Sequence, residues 1–251
     1  MASFSIVIVV KNGAATLPRL LNSINGLSSD VVVVDTGSTD DTTAWARRYT
    51  DRVYTAPWEG YGLTKQKAAL LAHNDWVLSL DADEELSQEL RGSLGNWTPG
   101  SPTTVYQLHW LNHIGNQAIR HGLWRNDWKN RLFHKHTVNW NDADVHEDLV
   151  AAVPFEKQRL QGYLHHYSFS SFQQVAEKHT RLAQLMGELY FKKGKKSSIL
   201  KLWLAPLWVF VKGYLLRLGF LDGVAGLHIA RATAYYTFLK YRVLRQRNAE
   251  K

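Results

Sequence analysis

The sequence predicts an α/β fold, in which a doubly wound parallel sheet is followed by a basic, helical C-terminal region. Short β-branched runs alternate with helical stretches over the first hundred residues, which is the pattern of βαβ units. The 251 residues suffice for one large domain or for one domain with a helical appendage. Residues 1–177 carry a net charge of −4, whereas residues 178–251 carry 15 Lys and Arg against 3 Asp and Glu.

The first hundred residues predict four strands with helices between them. Phe4–Val10 and Val31–Val34 are continuous apolar runs, too short for buried helices and typical of strands that are covered on both faces. Arg52–Ala56 and Trp76–Leu80 continue the pattern as the third and fourth strands. The predicted helices occupy Thr16–Ile24, a stretch from the turn at 37–41 through Tyr49, and a stretch around Lys65–Ala72.

The pattern changes after residue 104. Strand-like pieces lie among turns that are rich in Trp, His and Asn, at Val105–Ile114, Arg131–His134, Val145–Val150 and Arg159–Tyr167. From Ser171 onward the chain predicts helices, because Ser171 and Gln174 have capping-box spacing before an apolar stripe. We therefore expect an α/β domain at 1–170 and a basic amphipathic helical region at 171–251.

The C-terminal region predicts attachment to an anionic surface. Leu202–Val211 has ten uncharged residues between Lys201 and Lys212, with Pro206 among them, whereas a bilayer-spanning helix needs about 20. The run fits a helix that lies in the membrane interface, with lysines and Trp at head-group level. The alternative is an ordinary buried helix beside a solvated cluster of basic residues, which are Lys192, Lys193, Lys195, Lys196 and Arg217.

The composition narrows the possible chemistry. The sequence contains no cysteine, which excludes disulfides, thiolate catalysis and cysteine-ligated metal centres and suits a reducing cytoplasm. Apolar residues make up 45% and charged residues 21% of the chain, so a packed core is expected rather than disorder.

Carboxylates follow two of the predicted strands. Asp35 ends the second strand, and Asp81 and Asp83 follow the fourth. In open α/β sheets ligands bind outside the carboxyl ends of the strands. Carboxylates clustered there would repel a bare diphosphate, and a divalent cation, Mg²⁺ or Mn²⁺, resolves this by bridging protein and phosphate oxygens. An acidic surface turn is the alternative interpretation.

Three segments carry a resemblance to a known family: SIVIVVKN at 5–12, VVDTGSTD at 33–40 and DWVLSLDADE at 75–84. With them the chain resembles family 2 glycosyltransferases of the GT-A fold. Within that family it is similar to bacterial lipopolysaccharide inner-core glucosyltransferases, which link glucose β-1,4 to a heptose. Supporting pieces are Arg131-Leu132-Phe133, Val145-His146-Glu147 and Phe220-Leu221-Asp222-Gly223. The resemblance runs through nearly the whole chain.

The resemblance implies a role for several residues. Asp35 would contact the uridine, and Lys11 and Asn12 would line the same nucleotide pocket. Asp81 and Asp83 would form the metal motif on the donor diphosphate, with Asp83 as the direct ligand. Relatives often read Gln-Lys-Asn where this chain has Gln66-Lys67-Ala68, which removes a contact at the helix start, although Lys65 or Lys67 could still meet phosphate.

An inverting transfer needs a base that takes the proton of the acceptor hydroxyl. Relatives keep an acidic residue downstream of the metal motif for this task, and Glu147 is the candidate here, with Asp148 and Asp144 as alternatives. A solvated acidic turn would explain the same run. His165 is a candidate further metal ligand, because some GT-A enzymes use such a His, although a structural histidine is more common.

Other side chains could serve an acceptor. Trp residues could stack on a sugar, although core packing explains them equally well, and two arginines could receive an anionic group. These residues are Trp110, Trp124, Trp128, Trp140, Arg125 and Arg131.

Three function classes remain. The leading hypothesis is an inverting, metal-dependent transferase that moves a hexose from a nucleotide sugar such as UDP-glucose to a lipid-linked saccharide. It would be cytoplasmic and peripheral on the inner face of the bacterial inner membrane, with no nucleic-acid partner. A sugar nucleotidyltransferase would have a Gly-rich, Arg-containing loop after the first strand, where this chain has Lys11–Ala15. A non-enzymatic basic module leaves the strand-end carboxylates unexplained.

Overall fold

The structure, a computed structural model, describes residues 3–142 and 147–250. The alternative base Asp144, together with Val145 and His146 of the quoted motif, lies outside the described residues. The chain divides into two compact units, the first made of Met1–Trp110 and Asn126–His166 and the second of Leu111–Arg125 and Tyr167–Lys251.

The described residues form eleven strands and seven α-helices. The strands are β1 Ser5–Val10, β2 Val31–Asp35, β3 Val53–Thr55, β4 Trp76–Asp81, β5 Glu84–Leu86, β6 Thr104–Ile114, β7 Gln117–Ala118, β8 Asp127–His134, β9 Val138–Trp140, β10 Leu149–Ala151 and β11 Glu156–Phe169. The α-helices are α1 Leu17–Ile24, α2 Thr42–Arg47, α3 Tyr61–Leu70, α4 Gln88–Gly95, α5 Phe172–Lys192, α6 Ile199–Val211 and α7 Gly223–Ala249.

One mixed sheet organises the first unit. Its strand order is β3-β2-β1-β4-β8-β6-β11-β5, and β7 pairs with β6. Strands β1 to β4 are parallel, and β8 joins β4 antiparallel. The register places Val10 of β1 beside Asp35 of β2, and Val9 beside Asp81 of β4. Asp35 and Asp81 therefore end the two parallel strands that flank β1, at one edge of the sheet.

Both faces of this sheet are covered. Alternate residues of β1, such as Ile6 and Ile8, are fully buried in a core with apolar residues of α1 and α4. Val7 faces the opposite way, into a second core with Ala68 and Ala69 of the α3 region and Val138 of β9. Side chains of a strand alternate between faces, so continuous apolar runs are needed when both faces are buried. The predicted doubly wound α/β arrangement is confirmed.

The second unit is mainly helical. The Ser171 hydroxyl accepts the backbone N–H of Gln174 at the start of α5, which confirms the predicted cap. Helix α6 contains Pro206 and has no buried residue. Its helical path continues to Leu216, and the 18-residue segment Ile199–Leu216 has a mean hydropathy of 1.5 with 6% of its residues buried. By length and composition alone this segment is long and apolar enough to cross a membrane, so the ten-residue count of the sequence underestimated it.

Candidate active site

Residues 81–84, at the end of β4, form an acidic turn. Two cations from other elements hold this turn. Lys65 of α3 donates to Asp81 Oδ1 over 2.8 Å. Arg131 of β8 donates to Asp81 Oδ2 over 2.6 Å. Both cations are buried, with 6% and 4% of their side chains exposed. Each oxygen of the Asp81 carboxylate therefore has its own positive partner.

Glu84 fixes the other side of this turn. Its side chain is fully buried, and Oε1 accepts hydrogen bonds from Arg131 at 2.5 Å and from the Trp110 indole N–H at 2.6 Å. Its Oε2 accepts the backbone N–H of Asp81 at 2.8 Å. A buried carboxylate needs such partners, because burying a charge without them costs several kcal/mol. The network holds the turn at the strand end in one conformation.

The charges of this network shift the pKa values of its members. Burial alone would raise the pKa of Asp81, but Arg131 and Lys65 hold that pKa well below its usual range. Burial opposes the charge of Lys65, yet Asp81 and Glu147 keep the pKa of its ammonium above the ordinary value. For Glu84 the burial prevails, and its pKa is raised despite the attraction of Arg131. Asp81 and both cations are therefore charged at neutral pH.

Asp83 points to a different neighbour. Its side chain is 34% exposed, and His166 Nε2 lies 3.5 Å from Asp83 Oδ2. His166 stacks on the Trp110 ring at a centroid distance of 3.8 Å, which fixes the orientation of the imidazole. His165 is the next residue of β11 and pairs with Glu85, so strand alternation turns it to the opposite face. The structure thus brings His166, rather than the predicted His165, to the acidic turn.

Glu147, the predicted base, lies at this site. Its Oε1 accepts a hydrogen bond from Lys65 Nζ at 2.9 Å, and the same ammonium contacts Asp81. Its side chain is 20% exposed, so solvent or a substrate can reach it. The neighbouring Asp148 accepts from Asn130 and from the backbone N–H of Leu149, and these contacts hold the loop before β10. Of the two acids described here, Glu147 is the one that shares a cation with the acidic turn.

The predicted nucleotide-pocket residues lie after β1 and β2. Asp35 is 3% exposed and accepts the backbone N–H groups of Gly37 and Ser38. Asn12 has a left-handed φ of 52°, and its side-chain oxygen accepts the N–H of Thr39 at 2.8 Å. These bonds tie the β1 and β2 loops together at the strand ends.

The two predicted lysines of this pocket differ from Lys65. Lys11 is exposed at the end of β1. Lys67, 57% exposed, donates to Glu59 at 2.6 Å. Lys65 therefore points to the acidic turn, whereas Lys67 lies on the outer face of α3.

The tryptophans considered as sugar platforms have their faces covered. Trp110 stacks on His166 and has Lys129 Nζ 4.3 Å from its ring centre. Trp128 stacks on His109 at 4.4 Å, with Arg159 at 4.5 Å. Trp140 is 4% exposed, and Trp124 of the second unit stacks on Phe169 at 5.8 Å. Each of the four rings thus has a packing partner, and sugar stacking stays a prediction.

Sequence reasoning missed three features of the site. The sequence points to His165 and not to its neighbour His166, and it does not distinguish Glu84, although Glu84 lies in the DADE motif. Arg131 was expected to receive a substrate anion, but it is buried against Asp81 and Glu84. A basic residue within a strand of otherwise buried character, as in Arg131-Leu132-Phe133, was the available signal for such an internal partner.

A comparison with protein families gives a match over more than half of the chain. The family model described as glycosyl transferase family 2 matches residues 5–157. An uncharacterized glycosyltransferase of Rickettsia felis is 32% identical, over 98% of this chain and 90% of the relative. The lipopolysaccharide core biosynthesis glycosyltransferase LpsC of Rhizobium meliloti is 27% identical, over 98% of this chain and 93% of LpsC.

Solved structures also show similarity. Glucosyl-3-phosphoglycerate synthase from Mycobacterium tuberculosis, in complex with Mg²⁺ and UDP, is 23% identical with a TM-score of 0.36, over 46% of this chain and 45% of that one. S. aureus TarS 1–349 in complex with UDP is 13% identical with a TM-score of 0.46, over 99% of this chain and 90% of that one.

Proposed function

Because the chain belongs to glycosyltransferase family 2 and has the mixed α/β GT-A fold, we propose that it transfers a hexose to the inner core of lipopolysaccharide. The donor is UDP-glucose, the acceptor is a lipid-linked heptose, and the configuration at the anomeric carbon inverts. The similarity to LpsC over nearly the full chain supports the acceptor class. The observation that carries the proposal is the Lys65 ammonium, which contacts both the acidic turn and Glu147.

A divalent cation, Mg²⁺ or Mn²⁺, fits the residues at the acidic turn. Among the described residues, no group of three or more His, Asp and Glu side chains could hold a metal by itself. Asp83 and His166 nevertheless offer a carboxylate and an imidazole 3.5 Å apart, a donor pair that suits Mn²⁺. Mg²⁺ in nucleotide sites is commonly held by one or two carboxylates together with substrate phosphates. When bound, the cation would stabilise the negative charge that develops on the leaving diphosphate.

Asp81 has a different role in this proposal. Both of its oxygens are engaged by Lys65 and Arg131, so metal ligation by Asp81 would require these ion pairs to open. We assign Asp81 the task of fixing the turn that presents Asp83. Asp35 and Asn12 shape the loops that receive the nucleoside, and Lys11 lies beside them.

Glu147 acts as the general base. It accepts the proton of the acceptor hydroxyl while that oxygen attacks the anomeric carbon, opposite the departing UDP. Lys65 positions the Glu147 carboxylate through the 2.9 Å contact. The partly exposed side chain leaves access for an acceptor.

The second unit would hold the enzyme on the cytoplasmic face of the inner membrane, as a peripheral protein. The apolar face of α6 is solvent-exposed, with Trp203 at 63% and Trp208 at 57% exposure. The helix belongs to a region, residues 178–251, that carries 15 Lys and Arg against 3 Asp and Glu. Such a combination favours binding to anionic lipid.

The test is transfer of labelled glucose from UDP-glucose to lipopolysaccharide taken from a strain that lacks this gene. The Glu147→Gln variant should bind the donor as the wild type does but turn over at least ~10²-fold more slowly, since it loses general-base catalysis. Asp148→Asn is the matched control and should retain most of the turnover. An unchanged turnover number of Glu147→Gln would show that Glu147 is not the general base.

Mass spectrometry of the core oligosaccharide completes the test. The deletion strain should lack one hexose, and the gene supplied in trans should restore it. An intact core in the deletion strain would contradict the proposed acceptor. Release of pyrophosphate from UTP and a sugar phosphate would instead indicate a nucleotidyltransferase.

A further inference from the structure

Three lysines of the second unit converge on the same group of tyrosine rings. Lys240 Nζ lies 5.3, 5.2 and 4.9 Å from the ring centres of Tyr190, Tyr236 and Tyr241. Lys195 Nζ lies 4.0 Å from the Tyr190 ring, and Lys201 Nζ 5.1 Å from the Tyr241 ring. We call Lys195, Lys201 and Lys240 the lysine cluster.

No carboxylate neutralises the lysine cluster among the residues that the structure describes. Glu188 of α5 and Glu250, which follows α7, both pair with Arg247, at 2.7 and 3.0 Å, and Glu177 of α5 accepts a hydrogen bond from Gln173. The lysines are held together by cation–π contacts, which attract a cation to a ring face but leave its charge in place. Three like charges are thus gathered without a counter-ion from the part of the chain that the structure describes.

The electrostatics of Lys240 reflect this arrangement. Burial lowers the pKa of its ammonium, and the positive charges of Lys201 and Lys195 lower it further. Burial also raises the pKa of Tyr236, so its hydroxyl keeps the proton and remains a hydrogen-bond donor. An anion at this position would relieve the repulsion and find both charged and neutral donors.

An apolar groove lies on the same three helices. It has a volume of about 570 Å³ and is lined mainly by apolar residues of α5, α6 and α7, among them Val175, Pro206, Phe210 and Tyr235. Its lining suits an apolar segment of a ligand, with His228 and Arg231 as its basic members. Tyr235 precedes Lys240 by five residues, or about 7.5 Å along α7 at the rise of an α-helix. The same five residues turn the helix by about 140°, so Lys240 follows the groove along α7 on another side of that helix.

We propose that the lysine cluster binds the phosphate group of an anionic phospholipid, and that an acyl chain of the same molecule occupies the groove. The apolar lining favours a lipid over free phosphate, which would leave the groove empty. The proposal rests on the membrane-surface part of the proposed function and does not depend on the transfer reaction. The lipid then binds at one defined site. Non-specific attraction to the basic region would instead involve all exposed lysines about equally.

The experiment compares charge-matched variants of the full chain in vesicle flotation. The vesicles contain phosphatidylcholine alone or with phosphatidylglycerol. Lys192→Gln removes one exposed charge outside the cluster and should weaken binding to the anionic vesicles about fivefold, the effect of one basic residue near a membrane surface. Lys201→Gln and Lys240→Gln should each weaken it about 30-fold, the scale of a lost charge-assisted hydrogen bond. Equal losses in all three variants would overturn the proposal.

Circular dichroism checks that each variant is folded. Lys201 is an exposed residue, so its replacement should leave the helices intact. NMR of isotope-labelled lysines gives a second readout. Short-chain phosphatidylglycerol should raise the pKa of Lys240, and inorganic phosphate at equal concentration and ionic strength should not. An equal rise with phosphate would refute the lipid assignment. Donor hydrolysis without vesicles should match the wild type in all three variants, and its absence in the wild type would count against the transferase proposal alone.

Discussion

Replacing Arg131 by Met tests the ion-pair network under the acidic turn. The Arg131 side chain is 4% exposed and donates to Asp81 and to the fully buried Glu84. Removal of one partner from a buried ion pair costs about 3–5 kcal/mol, because the remaining charge is left uncompensated. Two features of the structure place the expected loss near the lower end, at about 3 kcal/mol. Lys65 still pairs with Asp81, and Glu84, whose pKa burial already raises, can take up a proton.

A second substitution separates charge from packing. Glu84→Gln in the Arg131→Met background removes the stranded carboxylate, and its single amide oxygen can accept from one of the two donors, the Trp110 indole or the Asp81 backbone N–H. We expect it to restore about half of the lost stability, since residues in one network couple by about 0.5–3 kcal/mol. Arg125→Met, at an exposed position, is the matched control and should have little effect.

The assay is urea unfolding followed by tryptophan fluorescence, with the free energy of unfolding determined for the wild type, both single variants and the double variant. A loss below 1 kcal/mol in Arg131→Met would show that water reaches the carboxylates. A double variant less stable than Arg131→Met alone would show that packing, and not the uncompensated charge, causes the loss.

Three further predictions concern metal, pH and membrane. Asp83→Ala should abolish transfer without unfolding the protein, and His166→Ala should weaken Mn²⁺ dependence far more than His165→Ala; full wild-type activity in excess EDTA would contradict the metal site. The pKa of Asp81 is held below its ordinary 3.8, so the stability it contributes is present above that pH and is lost as the pH falls further; Asp81→Asn should flatten this acid limb in thermal melts, and an unchanged limb would refute the assignment. Binding to anionic vesicles should weaken as salt rises, whereas retention through alkaline carbonate extraction would indicate a membrane span of Ile199–Leu216.

The sheet and the position of the site could be predicted because they depend on local patterns. Continuous apolar runs such as Val31–Val34 have only one stable place in a soluble α/β protein, between two layers of helices. Parallel pairing then brings the strand ends together. Asp35 and Asp81 therefore end the two strands that pair with β1. These inferences need no knowledge of side-chain partners.

The internal partners of the site could not be predicted, because they are remote in sequence. Lys65 meets Glu147, 82 positions away, and Arg131 meets Asp81, 50 positions away. A sequence shows that a basic residue lies in an apolar strand, but the tertiary fold decides which carboxylate it reaches. The choice between His165 and His166 is of the same kind, since one residue of register turns a side chain to the other face.

The length of α6 was underestimated for a different reason. A count of uncharged residues alone ends the apolar run at Lys201 and Lys212. In the structure the helix begins at Ile199, and the helical path continues past Lys212 to Leu216. A long lysine side chain can extend to a polar interface while its helix remains apolar, so charged residues do not end such a segment.

The distribution of charge at the acidic turn gives a reason to expect metal dependence. Lys65 and Arg131, the buried cations of the crevice, are engaged by Asp81, Glu84 and Glu147. A donor diphosphate that approaches Asp83 would therefore be repelled by that carboxylate. Lys65 and Arg131 would offset little of this repulsion, because protein carboxylates already neutralise them. A divalent cation between Asp83 and the diphosphate converts this repulsion into two favourable contacts. We therefore expect the cation to be needed for tight donor binding as well as for turnover, which calorimetry with UDP in the presence and absence of Mn²⁺ can measure.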